Sequence, residues 1–337
     1  MIGIAQIGVG YWGRNLLRNF SRCEGARVTA VCDADQSVRA RVAATYPGIH
    51  TSESVQDTLS RSDVDAVVIA TGTPQHFDVA YQALKCGKHV FVEKPMTQTS
   101  GEARILLDEA SRQGKKLMVG HLLMYHPAFE YVKDLIREGQ LGDVYYTHSL
   151  RVNLGIIRQT ENAFESLGPH DISIALEFIS SLPVAVSAQA QAYLQPGVED
   201  VAFATIFFED GKLAHLHTSW LDPQKSRRVT VVGSRRMAVI DDMESAEKVR
   251  LYDKGVDIST KEGQYVDFAK AMTVRSGDIK IPRIDMQEPL LNECRHFISC
   301  IQEDTTPRSD GNNGYQVVQI LEAAVQSMRN GNIRIDL

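Results

Sequence analysis

Short apolar runs alternate with amphipathic segments over the first third of the chain. The runs lack the polar alternation of half-exposed strands, which is typical of strands buried on both faces of a parallel sheet. Such strands are predicted over residues 2–7, 28–32, 65–70, 89–92 and 116–119. Helices are predicted between them, over residues 15–20, 75–86 and 99–113. This order of elements predicts a parallel sheet with helices packed on it.

The alternation of strand and helix stops after residue 121. Helices are predicted further on, near residues 128–138, 168–178, 288–302 and 315–330. Strands are predicted over residues 144–152, 184–194, 201–209, 213–220, 228–233 and 237–241. Runs of strands after a helix indicate an α+β domain with an open, largely antiparallel sheet covered by helices on one face. The sequence therefore predicts an α/β protein with two domains, residues 1–121 and residues 122–337.

Three glycines follow the first predicted strand at the spacing of a dinucleotide-binding loop. Gly8 permits a tight turn, Gly10 lets the backbone approach a pyrophosphate, and Gly13 lets the next helix pack closely on the strand. The N-terminus of that helix offers unpaired N–H groups to the phosphates. Tyr11 and Trp12 lie inside the loop, and Trp12 is expected to pack over the pyrophosphate or on an adjoining helix. The first domain is therefore predicted to be a Rossmann dinucleotide-binding domain.

Asp33 follows the second predicted strand, about 20 residues after the last glycine of the loop. A carboxylate at this position accepts hydrogen bonds from the ribose hydroxyls of the adenosine and repels a 2′-phosphate. Asp35 adds a second acidic group nearby in sequence. The sequence therefore favours NAD over NADP as the cofactor.

Composition and charge exclude several classes of protein. Of the 337 residues, 43% are hydrophobic, and 36 Lys and Arg against 42 Asp and Glu give a formal net charge of −6. A mildly acidic chain without a basic run does not match proteins that bind nucleic acid or anionic membranes. No apolar stretch approaches the ~20 residues of a membrane span. We expect a cytoplasmic protein, because the first residues lack signal-peptide features and the five cysteines are scattered.

Two further features complete a family pattern. Glu93-Lys94-Pro95 ends one of the predicted parallel strands, and His170 lies on a predicted helix of the second domain. Together with the glycine loop, these features resemble the Gfo/Idh/MocA oxidoreductases over essentially the whole chain. Within that family, five segments are similar to the nucleotide-sugar 3-dehydrogenase branch: residues 8–15, 120–127, 151–155, 169–173 and 232–237.

The resemblance implies NAD-dependent oxidation of the 3-hydroxyl of UDP-N-acetylglucosamine to the 3-keto sugar nucleotide. A functionally coupled aminotransferase would then install a 3-amino group, in a route to diamino sugars for lipid A or related glycans. Oxidation of an alcohol needs a hydride acceptor, which is NAD, and a group that accepts the hydroxyl proton. His170 is the predicted general base, because the ordinary pKa of histidine is ~6.5. Lys94 is predicted to orient and polarise the substrate oxygen.

One position departs from the family pattern. Many relatives have Asp four residues before the catalytic histidine, whereas this chain has Ser166 there, with Glu165 beside it. The Lys–Asp–His trio is therefore incomplete, and Lys94 and His170 are its remaining members.

Further residues are predicted to line the cofactor and the substrate. The predicted contacts at the nicotinamide and ribose end are Thr71, Thr73, Pro74, His76, Glu93 and Lys94. For His76, capping of the following helix is the alternative. The predicted substrate contacts are His121, Tyr125, Arg151, Asn153, Arg158, Asn162 and Asp171. The arginines match phosphate geometry, and Asp171 alternatively faces away from the substrate and supports its neighbour His170.

A site that binds a metal ion is an alternative to the NAD-dependent interpretation. His215 and His217 share one face of a predicted strand, and His121 and His126 add further nitrogen ligands. No cysteine or carboxylate spacing completes a ligand set around them, so no metal is predicted.

Activity and substrate each leave a second interpretation open. A non-catalytic NAD(P)-binding regulatory protein would keep the glycine loop, but Lys94 and His170 argue against it. UDP-N-acetylglucosaminuronate is the second candidate substrate, since Arg151 or Arg158 would pair with its carboxylate.

The second-domain sheet is predicted to carry an interface between copies of the chain. The segment Val201–Phe207 places apolar residues on both strand faces, so an uncovered sheet face would leave an apolar patch in water. We therefore predict a homodimer or tetramer built through this sheet.

Overall fold

In the computed structural model, which describes residues 1–258 and 272–337, the chain forms two units, each built on one sheet. The first unit contains Met1–His126 and Gln287–Glu322. The second unit contains Pro127–Met286 and Ala323–Leu337.

A six-stranded sheet forms the first unit. Its strands are β1 (Ile2–Ile7), β2 (Ala26–Cys32), β3 (His50–Ser52), β4 (Ala66–Ile69), β5 (His89–Glu93) and β6 (Leu117–Gly120). They pair in the order β3-β2-β1-β4-β5-β6, and every pair is parallel. The strand order reverses between β1 and β4, and ligands of open α/β sheets bind beside the carboxyl ends of the strands at such a point.

Helices connect successive strands of this sheet. They are α1 (Gly13–Phe20), α2 (Gln36–Thr45), α3 (Val55–Leu59), α4 (His76–Lys85) and α5 (Ser100–Gln113), with 3-10 turns at Thr73–Gln75 and Leu122–Tyr125. The start of α5 is a capping box, in which the side chains of Thr99 and Glu102 accept each other's backbone N–H groups. All four residues of β4 are buried, as the uninterrupted apolar run predicts. The predicted Rossmann domain is therefore confirmed.

The segment after residue 286 returns to the first unit. It contains α8 (Pro289–Gln302) and the start of α9 (Gly311–Arg329). The ring of Phe297 lies edge-on to Phe20 and Phe91, with centroids 6.3 Å and 5.7 Å away, and Val119 N donates to Ser309 O at 2.8 Å. The sequence placed this segment in the second domain, residues 122–337, whereas the structure places Gln287–Glu322 in the first unit. The apolar packing that decides this joins parts of the chain far apart in sequence.

A nine-stranded sheet forms the second unit. Its strands are β7 (Val144–Val152), β8 (Pro183–Gln191), β9 (Val201–Phe208), β10 (Leu213–Ser219), β11 (Ser226–Gly233), β12 (Met237–Asp241), β13 (Val249–Ile258), β14 (Met272–Lys280) and β15 (Ile335–Asp336). Their order is β14-β13-β12-β11-β7-β10-β9-β8-β15. The neighbours β7 and β10 are parallel, and the other described pairs are antiparallel. The predicted open, largely antiparallel sheet is thus confirmed.

Helices pack on one side of this sheet. They are α6 (Pro127–Arg137) and α7 (Ala163–Phe178), and α7 lies against β7, β9 and β10. Burial alternates strictly along β9, where Ala202, Ala204 and Ile206 are buried and the residues between them are half-buried. Within the described residues, no helix is long and apolar enough to cross a membrane.

Candidate functional site

The glycine loop between β1 and α1 has the geometry that a dinucleotide requires. Gly8 has φ +88°, and a Cβ atom there would lie 2.7 Å from Ala70 O. A Cβ atom on Gly13 would lie 2.4 Å from Gly8 O, so this glycine allows α1 to start against the turn. At Gly10, by contrast, a Cβ atom would meet nothing within 4 Å. No protein contact therefore requires glycine at position 10, which fits a backbone left open for a pyrophosphate.

The carboxylate of Asp33 is fixed to the same loop. It lies just beyond β2, where Oδ2 accepts from Val9 N at 2.7 Å and Oδ1 accepts from Asp35 N at 3.0 Å. Each carboxylate oxygen has a second acceptor site, so Asp33 can still bind ribose hydroxyls. The nearby cation of Arg39 donates to Asp33 O and to Glu53 at 2.8 Å and 3.1 Å. These residues fit NAD.

The strand end at Glu93 and Lys94 lies beside the glycine loop. Glu93 is buried; its Oε1 accepts from Trp12 Nε1 at 2.6 Å, and its Oε2 accepts from Lys94 N at 3.2 Å. The Lys94–Pro95 peptide bond is cis. Burial raises the pKa of Glu93 to about 7, while the charge of Lys94 and the bond from Trp12 oppose this rise. Sequence reasoning assigned Trp12 and Glu93 separately to the cofactor and did not identify the hydrogen bond between them.

The loop after β4 holds the other predicted cofactor contacts. Thr71 and Thr73 are half-buried and Pro74 is exposed. His76 is buried, and its ring nitrogens lie 2.8 Å from Pro95 O and 3.2 Å from Thr71 O. Burial lowers the pKa of His76. Its ring joins the loop after β4 to the segment after β5, and its contact with the cofactor stays a prediction.

His121 and Tyr125, two of the predicted sugar contacts, are buried. Neither ring nitrogen of His121 has a hydrogen-bond partner among the described residues, and burial, aided by the charge of Lys94, lowers its pKa to about 3. The hydroxyl of Tyr125 lies 2.9 Å from Ser309 Oγ, and burial raises the pKa of Tyr125. Their contact with a sugar stays a prediction.

Sequence reasoning missed Glu293. This residue of α8 is fully buried, and neither carboxylate oxygen has a hydrogen-bond partner in the described part of the chain. Burial, and secondarily the charge of Glu93, raise the pKa of Glu293 well above its usual value. The sequence signal that could have identified Glu293 is an acid on the apolar face of the helix predicted near residues 288–302. That helix was assigned to the second domain, away from Glu93.

His170 lies on α7 in the second unit, and the start of this helix is capped by side chains. Asn162 caps the helix: its side chain accepts from Glu165 N at 2.8 Å, and Glu165 Oε2 accepts from Asn162 N at 2.9 Å. Asn162 Nδ2 also donates to Glu199 at 3.0 Å. The amide of Asn162, a predicted substrate contact, is thus a buried helix cap in this structure. The carboxylate of Glu165 is likewise used at the cap, so it does not replace the acid absent at Ser166.

A buried ion pair joins α7 to β7 immediately next to His170. Arg151 donates from Nε and Nη2 to the two carboxylate oxygens of Asp171 at 2.8 Å and 2.9 Å. The side chains are only 8% and 1% exposed. Both predicted substrate contacts are thus partners of each other, and Asp171 joins α7 to β7, in line with the alternative that it supports His170. A bidentate pair of this kind fixes both side chains.

The irregular segment before α7 holds the other two predicted contacts. The backbone N of Asn153 donates to Ser219 O at 3.1 Å, and its side chain is half-buried. Arg158 is exposed and lies 3.5 Å from Glu161. Among the predicted substrate residues of the second unit, these two retain accessible side chains.

Two of the histidines considered as metal ligands, His215 and His217, contact neighbours in the second sheet. His215 Nδ1 lies 3.1 Å from Thr205 Oγ1, and the His215 ring stacks on His148. Among the described residues, no group of three or more His, Cys, Asp or Glu side chains is placed to hold a metal ion.

Family models match both units of the chain. The NAD-binding Rossmann fold of the Gfo/Idh/MocA oxidoreductases matches residues 2–121, and the GFO/IDH/MocA C-terminal domain matches residues 129–239. The chain belongs to the Gfo/Idh/MocA oxidoreductase family. It is an NAD-dependent oxidoreductase, and its NAD-binding Rossmann domain is the unit that contains the loop of Gly8, Gly10 and Gly13.

Individual relatives of this oxidoreductase cover almost its whole length. A D-apiose dehydrogenase from Paraburkholderia graminis is 26% identical over 97% of this chain and 88% of that protein. An inositol 2-dehydrogenase from Rhizobium meliloti is 25% identical over 96% of this chain and 95% of its own. The structure of UDP-N-acetylglucosamine 3-dehydrogenase GnnA from Acidithiobacillus ferrooxidans is 26% identical, with a TM-score of 0.79 and coverage of 96% and 97%.

Proposed function

We propose that this oxidoreductase converts the 3-hydroxyl of UDP-N-acetylglucosamine to the 3-keto sugar nucleotide. The proposal is carried by the end-to-end similarity to GnnA, in a chain that has both Lys94 and His170. The similarity to D-apiose and inositol dehydrogenases supports the coarser statement, oxidation of a sugar or polyol hydroxyl.

The chemistry needs two groups from the protein. When bound, NAD supplies the hydride acceptor. His170 accepts the hydroxyl proton while the C3 hydrogen leaves with its electron pair, so the products are the ketone, NADH and one proton. Lys94 donates a hydrogen bond to the substrate oxygen and stabilises the charge that develops on it. The buried pair of Arg151 and Asp171 fixes the turn of α7 on which His170 lies.

The similarity to GnnA supports the neutral sugar as the first candidate substrate. UDP-N-acetylglucosaminuronate stays the second candidate, with Arg158 as the partner for its carboxylate, since Arg151 is bound to Asp171. We propose Asn153 and Arg158 as the remaining contacts to the sugar nucleotide. Arg158 is exposed, and an exposed arginine near one acid fits a diphosphate oxygen as well as a carboxylate.

The test is NADH formation and product mass with a panel of substrates. We expect turnover of UDP-N-acetylglucosamine and much slower turnover of its uronate, of free N-acetylglucosamine, of D-apiose and of inositol. Lys94→Ala and His170→Ala should each lower kcat by about 10²–10⁴-fold with NAD binding retained. Equal rates with the uronate would contradict the substrate assignment. NAD binding without NADH formation from any of these compounds would favour a regulatory protein.

The product defines the next reaction. A 3-keto sugar nucleotide is an electrophile that a primary amine condenses with, so an aminotransferase is the expected partner activity. The second sheet is the expected interface between copies, because Phe203 and His217 stack at 4.3 Å on its half-buried side.

A further inference from the structure

The carboxyl group of Glu93 joins the dinucleotide loop to the strand end that carries Lys94. One oxygen accepts the indole N–H of Trp12 at 2.6 Å, and the other accepts the backbone N–H of Lys94 at 3.2 Å. A Cβ atom on Gly120 would lie 2.9 Å from Glu93 Oε1, so glycine at this position of β6 leaves room for the carboxyl. One buried group therefore contacts both the cofactor loop and the backbone of the predicted catalytic lysine.

A second buried acid, Glu293 of α8, interacts electrostatically with this carboxyl. Glu293 has no hydrogen-bond donor among the described residues. An ionised carboxylate without donors is very costly in a protein interior. Glu293 is therefore held in its neutral, protonated form.

Glu93 is the member of the pair that ionises near neutral pH. It has two N–H donors, which stabilise a carboxylate, and the cation of Lys94 lies nearby. Three other titratable groups near the pair have pKa values shifted away from neutral pH. The pKa of His121 is lowered to about 3, and those of Tyr125 and Cys294 are raised. The charged group beside Glu93 is Lys94.

We propose that Glu93 and Glu293 hold one negative charge between them, and that this charge, carried by Glu93, links NAD binding at the Trp12 loop to the strand end of Lys94. A charged acceptor strengthens the bond from the Trp12 indole and places a carboxylate beside Lys94. Glu93 is a predicted contact at the nicotinamide end of the cofactor, where the ring of NAD⁺ is cationic, so we expect NAD⁺ to bind more tightly to the deprotonated form. NADH carries the same pyrophosphate and isolates the contribution of the ring charge. Glu93 is then a positioning residue for the proposed reaction, and Glu293 keeps its surroundings free of a second charge.

The sign of the linkage follows from this preference. Because NAD⁺ favours ionised Glu93, NAD⁺ binding lowers the pKa of Glu93 from about 7 and releases a proton. The affinity for NAD⁺ therefore rises as the pH increases through 7. A shift of one pKa unit corresponds to about a tenfold change in affinity between the two plateaus. NADH, whose ring is neutral, should show a smaller change.

Calorimetry tests the linkage without any sugar substrate. NAD⁺ is titrated into the full-length protein at pH 7 in two buffers with different ionisation enthalpies, which gives the number of protons released. We expect the wild type to release a measurable fraction of a proton and Glu93→Gln to release none. Glutamine keeps an oxygen for the Trp12 N–H but does not titrate. Binding of NAD⁺ to the wild type without proton release would overturn the proposal.

Tryptophan fluorescence supplies a second readout that does not require NAD. The chain has two tryptophans, and Trp220 donates to Asp200, whose pKa is lowered, so its emission should stay constant around pH 7. Emission of the wild type should therefore change with a midpoint near pH 7. The change should be absent from Trp12→Phe and Glu93→Gln. Persistence of the titration in Glu93→Gln would show that another group is responsible and would overturn the proposal.

Glu293→Gln tests which acid carries the charge. One neutral group replaces another, so the fluorescence midpoint should stay within about half a unit of the wild type. Glu303→Gln, at an exposed position just after α8, is the matched control and should also leave it unchanged. A shift of about one unit or more towards acid in Glu293→Gln alone would show that Glu293 is charged and would overturn the shared-charge assignment. These outcomes are independent of which sugar the protein oxidises.

Discussion

Asp33 holds the glycine loop by its own hydrogen bonds. Its carboxylate accepts N–H groups from Val9 and Asp35, and each oxygen keeps a second acceptor site. Its position after β2 predicts that these sites bind the ribose of NAD, because strand ends in parallel sheets converge on the ligand. That recognition role stays a prediction.

Asp33→Asn is predicted to weaken NAD binding while keeping the fold. The amide retains one acceptor oxygen for the loop but loses the charge that repels a 2′-phosphate and strengthens the ribose bonds. We expect the Kd for NAD to rise about tenfold, equivalent to ~1.4 kcal/mol, and the preference over NADP to fall by at least that factor. Equilibrium binding of both dinucleotides checks this. Asp108→Asn, at an exposed position of α5, is the control and should change neither Kd by more than about twofold. An unchanged NAD preference in Asp33→Asn would contradict the assignment.

For single residues, the sequence predicted which side chains lie at strand ends better than it predicted which residues those and other side chains contact. Lys94 and Asp33 were identified from their positions at strand ends. For Tyr125, by contrast, nothing local indicates that Ser309, far along the chain, binds its hydroxyl. The partner of Arg151 was missed for the same reason, since its ion pair with Asp171 forms only when β7 and α7 pack together.

At the scale of elements, amphipathic pattern decided what could be predicted. The buried strands of the first sheet and the alternating strands from β7 to β12 were predicted within a few residues. The strand β14 was not, because almost all of its residues are exposed and it has no apolar alternation. The helix α2 was missed for a similar reason, since Val42 is its one buried residue. Both elements are held by neighbours and not by an apolar face of their own.

The buried ion pair of Arg151 and Asp171 should contribute strongly to the free energy of unfolding, because it joins α7 to β7. Asp171→Asn leaves the guanidinium of Arg151 buried without its counter-charge, and loss of one partner of a buried pair costs about 3–5 kcal/mol. We expect that loss in the free energy of urea-induced unfolding. The double variant Arg151→Met/Asp171→Leu should lose markedly less, because no charge remains uncompensated.

The matched control for this pair is an exposed one. Arg334 and Asp336 lie 3.5 Å apart, with side chains 54% and 85% exposed. Asp336→Asn should therefore lower the unfolding free energy by less than about 1 kcal/mol. If Asp171→Asn costs no more than this control, the pair does not hold α7 in place, and its support of His170 would have to be abandoned.

At the scale of the whole molecule, one face of the second sheet carries half-buried aromatic side chains. Phe203, Phe207 and His217 lie half-buried on the side opposite the buried residues of β9. Aromatic side chains with this exposure are enriched where two proteins meet. We therefore predict a dimer through this face, as the alternation in the sequence first indicated.

Phe203→Glu should separate the copies. Sedimentation of the wild type at micromolar concentration should show a dimer or tetramer, and the variant should be a monomer, because association would bury its carboxylate. Leu182→Glu changes an exposed residue outside the sheet and serves as the control. A wild type that sediments as a monomer would refute the interface, and a Phe203→Glu variant that remains dimeric would place it elsewhere.

The return of residues 287–322 to the first unit has a consequence for synthesis. The six strands of the first sheet have all left the ribosome before roughly 160 further residues are added, which takes about 8–30 s at ordinary elongation rates. During that interval Phe20 and Phe91 lack the ring of Phe297. In this interval the part of the core that Phe297 later covers is exposed to solvent. Synthesis of this chain therefore has a defined period in which a chaperone would have a binding site that the finished protein does not offer.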